Sequence, residues 1–328
     1  MRLGRLPRVH LDSFILLLMA VVGVAALFPA RGVAADVVSA VTKIAIALLF
    51  FLYGARLSPA QAVQGAQHWR LHLMVLGTTF VVFPLLGLAA FWLAPTVLTP
   101  ALYDGLLYLC LVPSTVQSSI AFTSMARGNV AAAIVSASLS NIVGVVLTPV
   151  LVVALMASAR IHIDGSAVLE IVVQLLVPFA AGQLARRWIA GWVQRHATLT
   201  HAVDRGAILL VVYAAFSMGM TAHIWTTVTP WRIVALTAVC TVLLALVMGI
   251  AVGLARLTRL QRGDAVVLLF CGSKKSLASG LPMALVLFSN ATAVIVLPLM
   301  IFHQIQLVVC ALVASRLARS APPVGPAG

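Results

Sequence analysis

An all-α, polytopic membrane fold is predicted by three features of this sequence: its apolar content, the spacing of its apolar runs and the one-sided placement of its arginines. Of the 328 residues, 62% are hydrophobic and 9% charged. The mean hydropathy is +1.13, far from the balance of a water-soluble domain. Apolar runs of roughly 17 to 25 residues, the length a helix needs to cross hydrocarbon, recur between charged or Pro/Gly-rich breaks. Ten are found, near 13–29, 37–55, 71–94, 104–126, 129–157, 166–190, 202–222, 232–255, 264–288 and 291–315. With the amino terminus inside, fifteen arginines fall in inside stretches, from Arg2, Arg5 and Arg8 to Arg316 and Arg319. Only Arg31, Arg160 and Arg232 fall outside. That asymmetry predicts a multi-pass protein of the cell (cytoplasmic) membrane with N- and C-termini cytoplasmic.

The first segment follows three arginines and so imitates a cleaved leader peptide. An even number of crossings instead needs it as an uncleaved helix behind a cytoplasmic stretch, 1–12. Segments one to five make a first five-helix repeat over 13–157, and a connecting loop takes 158–165. Segments six to ten make a second repeat over 166–317, and the Pro- and Gly-rich tail 318–328 is expected to be disordered. Three matches in register relate the halves. Segment two ends in Phe51-Leu52-Tyr53-Gly54-Ala55 and segment seven in Phe216-Ser217-Met218-Gly219-Met220. Segment four opens with Asp104, reaches Cys110 and breaks at Pro113-Ser114-Thr115. Segment nine opens with Asp264, reaches Cys271 and breaks at Gly272-Ser273-Lys274-Lys275. Segments five and ten open with Asn129-Val130-Ala131 and Asn290-Ala291-Thr292, 25 and 26 residues beyond the two aspartates. Five crossings per half invert the second half relative to the first, an architecture common among carriers.

Interrupted helices leave backbone groups without partners, which hydrocarbon tolerates only where protein or a watery cavity supplies them. Pro113 removes a donor, and Gly272 opens backbone angles closed to other residues. Ser114, Thr115, Gln117, Ser118 and Ser119 surround the first break; Ser273, Lys274, Lys275, Ser276 and Ser279 surround the second. Hydroxyls in membrane helices commonly bond back to their own turn or allow close packing. An ammonium at mid-membrane is costlier and marks a bundle interior or a watery cavity. Lys274 and Lys275 point about 100° apart if helical, so one is expected to face a site and the other to anchor structure. Ser136 and Ser140 share one face of segment five, beside Asn141, where a packing stripe is the competing reading. Lys43 is placed to snorkel from segment two, and His303, Gln304 and Gln306 make segment ten partly polar-facing. Asp12, Asp36, Asp104, Asp164, Glu170, Asp204 and Asp264 all fall at or near segment ends. None is placed to carry a proton or sodium ion at mid-membrane.

The net charge of +14 is scattered singly between apolar runs, which excludes a nucleic-acid surface. Cys110, Cys240, Cys271 and Cys310 lie within apolar segments without C-x-x-C spacing, so they predict core residues and no metal site or disulfide framework. No G-x-x-x-x-G-K-[ST] loop, Ser-His or Cys-His spacing is present. Neither an enzyme nor a cofactor is indicated.

The run Ala126-Arg127-Gly128-Asn129-Val130-Ala131, followed by Thr148-Pro149, resembles the bile acid:sodium symporter family. Pro113-Ser114-Thr115-Val116-Gln117-Ser118-Ser119 and Cys271-Gly272-Ser273-Lys274-Lys275-Ser276-Leu277-Ala278 resemble its SBF-like branch, sometimes grouped with cation/proton antiporters. The resemblance covers about residues 10–317. It implies a panel of segments one, two, six and seven against a core of three to five and eight to ten. Segments four and nine then cross, and substrate binds between panel and core. Sodium-coupled members carry a glutamate on segment nine and a glutamine four residues later; those positions here are Cys271 and Lys275. Their hydroxyl positions on the fifth helix fall at Ala133, Ala137 and Ser138, so only Ser138 keeps one, and sodium coupling does not carry over.

The expected function is a secondary transporter of a small organic anion in the lipid bilayer, with a proton or sodium as coupling ion. A lysine ammonium is expected in the space where relatives hold sodium, loading and releasing a proton or meeting the anion directly. The expected binding set is Ser114, Thr115, Gln117, Ser118, Ser119, Ser136, Ser138, Ser140, Asn141, Ser273, Lys274, Lys275 and Ser276. The alternative is a cation/proton antiporter or a regulator of ion flux.

Overall fold

The computed structural model describes residues 13–56, 68–94, 96–156, 172–221, 229–288 and 292–320. The predicted leading stretch 1–12, the connecting loop 158–165 and most of the tail lie outside them, as does Asn290. The described residues fold into helices with no strand: α1 (Ser13–Leu27), α2 (Val33–Arg56), α3 (Trp69–Leu93), α4 (Pro100–Leu111), α5 (Gln117–Met125), α6 (Val130–Met156), α7 (Val177–Arg195), α8 (Ala197–Thr221), α9 (Pro230–Leu257), α10 (Arg262–Gly272), α11 (Leu277–Leu287) and α12 (Thr292–Arg319). Among the described residues, α2, α3, α6, α8, α9 and α12 are each long and apolar enough to cross a membrane. Large apolar side chains lie exposed along these helices, Leu48, Leu85, Val146 and Val242 among them. Trp69, Trp188 and Trp192 are exposed towards one end of the bundle and Trp92 and Trp231 towards the other, the two-belt pattern of a chain spanning a bilayer.

Local chemistry sets the ends and irregularities. Thr99 starts α4, its hydroxyl accepting Leu102 N–H at 3.3 Å, with Pro100 in the first turn where no N–H is missed. Asn129 caps α6 by accepting Ala132 N–H at 3.1 Å. A π-helical turn at Thr78–Val82 interrupts α3, and Pro84 follows it. There Phe83 N–H donates to Thr78 O, five residues back. The same pattern would assign Pro84 to Thr79 O, but proline has no N–H to give. Thr79 O is thereby released from the helix.

Two packed groups result. α1, α2, α7 and α8 pack on one another, while α3 to α6 and α9 to α12 gather around the two broken helices, and α8 touches α11 and α12 across the boundary. The α2–α7 crossing is close because both sides lack a side chain. A Cβ on Gly54 would lie 2.1 Å from Phe179 O, and one on Gly182 would lie 2.0 Å from Phe51 O. Arg56 on α2 pairs with Asp204 on α8. In the second group α4 and α10 are buried almost throughout, from Leu106 to Leu111 and from Val266 to Gly272. All four cysteines are buried and free.

Candidate functional site

The sequence places breaks at Pro113 and Gly272, and helix ends there: α4 stops at Leu111 and α5 starts at Gln117, while α10 stops at Gly272 and α11 starts at Leu277. The breaks touch. Ser276 N–H donates to Pro113 O at 2.8 Å, and Ser114 Oγ donates to Cys271 O at 2.6 Å. Gly144 of α6 lets Pro113 sit against its backbone, since a Cβ there would lie 2.6 Å from the proline ring.

Five carbonyls at the first break each find a donor. Cys110 O and Val112 O each accept from Lys275 Nζ at 2.8 Å, and Leu111 O accepts from Thr148 Oγ1 at 2.9 Å. Pro113 O takes Ser276 N–H, and Ser114 O takes Asn141 Nδ2 at 2.8 Å. On the other break, Ser119 Oγ donates to Phe270 O at 3.2 Å. Gln306 of α12 clamps the Lys275 backbone from both sides, accepting its N–H and donating to its carbonyl, each at 2.9 Å. Irregular backbone at membrane depth is thus satisfied by protein.

The two lysines part, though not because a helix turns them. Both lie in the non-helical stretch between α10 and α11, so the expected 100° offset has no basis there, and the break itself sends them apart. Lys275 Nζ reaches Thr79 O at 2.9 Å as well as Cys110 O and Val112 O, 4.1 Å from the centroid of the Phe83 ring. Three carbonyls count three protons: a neutral amine has two N–H groups, an ammonium three. One of those carbonyls is the one that Pro84 left without a partner. Lys274 Nζ donates to Ser118 Oγ at 2.5 Å and lies 4.3 Å from the Phe122 ring centroid, so its head is held by one hydroxyl and one aromatic face. Both are fully buried.

Most of the predicted set converges here. Thr115, Ser118 and Ser119 share hydroxyl bonds of 3.0 Å. Ser140 accepts Ser114 N–H at 3.1 Å, and Asn141 Oδ1 accepts from Ser279 Oγ at 2.8 Å. Ser276 caps α11 through Ser279 N–H at 3.2 Å. Four residues stand apart. Ser273 bonds back to Leu269 O of its own helix. Gln117 faces outward, 3.3 Å from His201 of α8. Ser138 is half-buried and makes no hydrogen bond to a described residue; it lies about 200° around α6 from Ser136 and Ser140. Ser136 itself meets His72 of α3 at 2.7 Å in a buried pair, and neither His72 nor the Thr79 carbonyl is signalled by local sequence.

A helical bundle that crosses the membrane repeatedly, with two broken helices meeting at the bundle interior, has the architecture in which carriers place their binding sites. The sequence profile of the SBF-like CPA transporter family matches residues 12–319, and the chain belongs to that family. It is 52% identical to an uncharacterized protein of Pseudomonas aeruginosa, over 95% of each chain. It is 48% identical to the Escherichia coli protein named "Putative symporter YfeH", over 94% of this chain and 93% of the relative. Sodium/bile acid cotransporter 7 of Mus musculus is 27% identical over 92% of this chain and 91% of its own. The family and the last two of these relatives, which are named for symport and cotransport, make the chain a secondary transporter.

Proposed function

We propose that this secondary transporter carries a small organic anion by alternating access, and that a built-in ammonium stands where a free coupling cation would otherwise bind. The carrier has ten crossings, in an inverted pair of five-helix repeats over 13–157 and 166–317. It sits in the cell membrane with both termini in the cytoplasm. α1, α2, α7 and α8 form the panel; the remaining helices form the core, and no cofactor is needed. The observation that carries the reading is the cage of Thr79, Cys110 and Val112 carbonyls around Lys275 Nζ at the meeting of the two breaks. Unwound backbone carbonyls help to coordinate the coupling cation in carriers with broken helices, and here the cation they meet is tethered to the chain. No Asp or Glu makes any of the contacts described at the breaks, which favours an anion as cargo over cation/proton antiport.

Lys274 has the lighter attachment, so it is the lysine that loads and releases a proton as the panel moves. Uptake into proteoliposomes, with sodium or proton gradients imposed separately, tests this. A proton gradient is expected to drive accumulation of organic anions in the wild type, and Lys274→Met is expected to remove the pH dependence. Accumulation that follows only the sodium gradient, with Lys274→Met unchanged, would sink the proposal.

A further inference from the structure

Beyond Leu184, α7 leaves its apolar first half and turns amphipathic towards the arginine-rich end of the bundle. Residues 177–184 carry no charge, whereas 185–196 hold Arg186, Arg187, Arg195 and His196. Leu184, Trp188 and Trp192 recur every four residues and so line one stripe; they are 74%, 67% and 46% exposed. Arg187, Gly191 and Arg195 form a second stripe beside it, at the same spacing. The Arg187 guanidinium lies 3.8 Å from the centroid of the Trp188 ring. Arg195 folds back one turn, its Nε donating to Gly191 O at 3.1 Å, and His196 stacks on Trp192 with ring centroids 4.7 Å apart. A Cβ on Gly191 would meet nothing within 4 Å, so the space between the two arginines is open.

This cationic strip meets no counter-charge among the described residues. No Asp or Glu lies between Glu170 and Asp204, and the stretch 57–67 after α2 has none either. The described carboxylates at this end are engaged elsewhere. Asp204 pairs with Arg56, and Asp264 accepts from Asn129 Nδ2 at 2.9 Å and sits 3.1 Å from His68 Nδ1. Arg262, at the same end, is held by protein, donating to the Ala126, Arg127 and Leu317 carbonyls at 2.7–3.2 Å. Among the described residues, neither the Arg187 guanidinium nor the Nη groups of Arg195 have such an acceptor.

We propose that this strip is a docking site for an anionic phospholipid, whose phosphate sits between Arg187 and Arg195 and whose acyl chain lies along Leu184 and Trp188. Guanidinium groups bind phosphate through paired N–H donors, and indoles settle at the level of lipid headgroups. Charge selects the lipid. A net-negative headgroup answers the arginines, whereas a choline headgroup brings a second cation to them. The apolar stripe selects a lipid over a soluble phosphate, which would use the arginines alone. α8 starts at Ala197, two residues beyond Arg195. The bound lipid therefore fixes the turn between two helices of the first packed group to one leaflet, the cytoplasmic one in the orientation proposed above.

Lipids brominated on their acyl chains test this through tryptophan fluorescence. The protein is placed in phosphatidylcholine nanodiscs with a minor share of brominated phosphatidylglycerol or, separately, of brominated phosphatidylcholine. Quenching at Trp188 and Trp192 is read as the difference from Trp188→Phe/Trp192→Phe. Phosphatidylglycerol is expected to quench these indoles more than phosphatidylcholine at the same share. Arg187→Gln/Arg195→Gln is expected to lower that preference about fivefold per arginine, the weight of one basic residue at an anionic surface. Arg316→Gln/Arg319→Gln removes equal charge from exposed positions in the last turn of α12 and is expected to leave the preference unchanged. Gly191→Leu keeps both arginines and fills the space between them. It is expected to lower the preference too, and serves as the second variant if the arginine pair folds poorly. Free glycerol phosphate is expected not to displace the lipid. A preference that survives both α7 variants, or that Arg316→Gln/Arg319→Gln removes as fully, overturns the site. Displacement by glycerol phosphate would assign the arginines to a soluble anion and overturn the lipid.

Discussion

At the scale of single residues, two adjacent lysines differ in how completely their protons are used. The Lys275 ammonium spends all three on carbonyls 2.8–2.9 Å away. Lys275→Met would leave Thr79, Cys110 and Val112 carbonyls buried without a donor, and unsatisfied buried groups cost about 1–3 kcal/mol each. The variant is expected to lose at least ~3 kcal/mol of stability, read as a large drop in melting temperature of the detergent-purified protein. Lys274→Met strips one bond from Ser118 and the contact with Phe122, so its melting temperature is expected to fall far less. Its cost is expected in the pH profile of uptake instead. Equal melting temperatures for the two variants would contradict the anchoring role given to Lys275. The sequence made both lysines conspicuous, because an ammonium in an apolar run is visible without a fold. Which of them anchors was hidden. Thr79 lies 196 residues from Lys275, and its carbonyl is free only because Pro84 cannot complete the π-turn.

Among the elements, breaks were easier to read than contacts. Pro113 acts on its own turn, so the end of α4 follows from residue type, whereas Gly272 ends α10 without using the positive φ that glycine allows. Asn129 likewise announces the start of α6 through its cap. The α2–α7 crossing carries no such signal, since a glycine in an apolar helix looks alike whether it touches lipid or another backbone. The structure separates the cases. Gly54 and Gly182 face carbonyls closer than any Cβ can approach, whereas Gly249 and Gly253 on α9 have nothing within 4 Å. Gly54→Val and Gly182→Val must therefore push two helices apart, an overpacking that costs about 1–3 kcal/mol. Both are expected to lower the melting temperature and the monodisperse fraction on size-exclusion chromatography. Gly249→Ala and Gly253→Ala are expected to be neutral or slightly stabilising, because alanine is the better helix former. Uniform tolerance of all four changes would mean that α2 and α7 do not meet at these glycines.

Across the whole molecule, the two ends of the boundary between the packed groups differ. At one end, α2, α8 and the end of α11 line a cavity of about 240 Å³ that includes Ser39, Lys43, Ser217 and Leu285, the Lys43 cavity. At the opposite, arginine-rich end Gln117 of α5 meets His201 of α8 at 3.3 Å, and His201 is also 3.9 Å from Asp204, the partner of Arg56. The contact joins a half-helix of the second group to a helix of the first, so it must break if the cavity is ever to empty towards that side. Alternating access then makes a geometric demand: a tie between positions 117 and 201 holds the Lys43 cavity open and forbids the opposite state. The double variant Gln117→Cys with His201→Cys replaces one weak, exposed hydrogen bond, so it is expected to fold and to transport at a reduced or ordinary rate. Treatment with a short bis-methanethiosulfonate is expected to abolish uptake, and reductant to restore it. Either single cysteine is expected to be insensitive, because the native thiols are buried. Full transport with the cross-link in place would mean that this boundary does not move, and the panel would then have to be drawn elsewhere in the bundle.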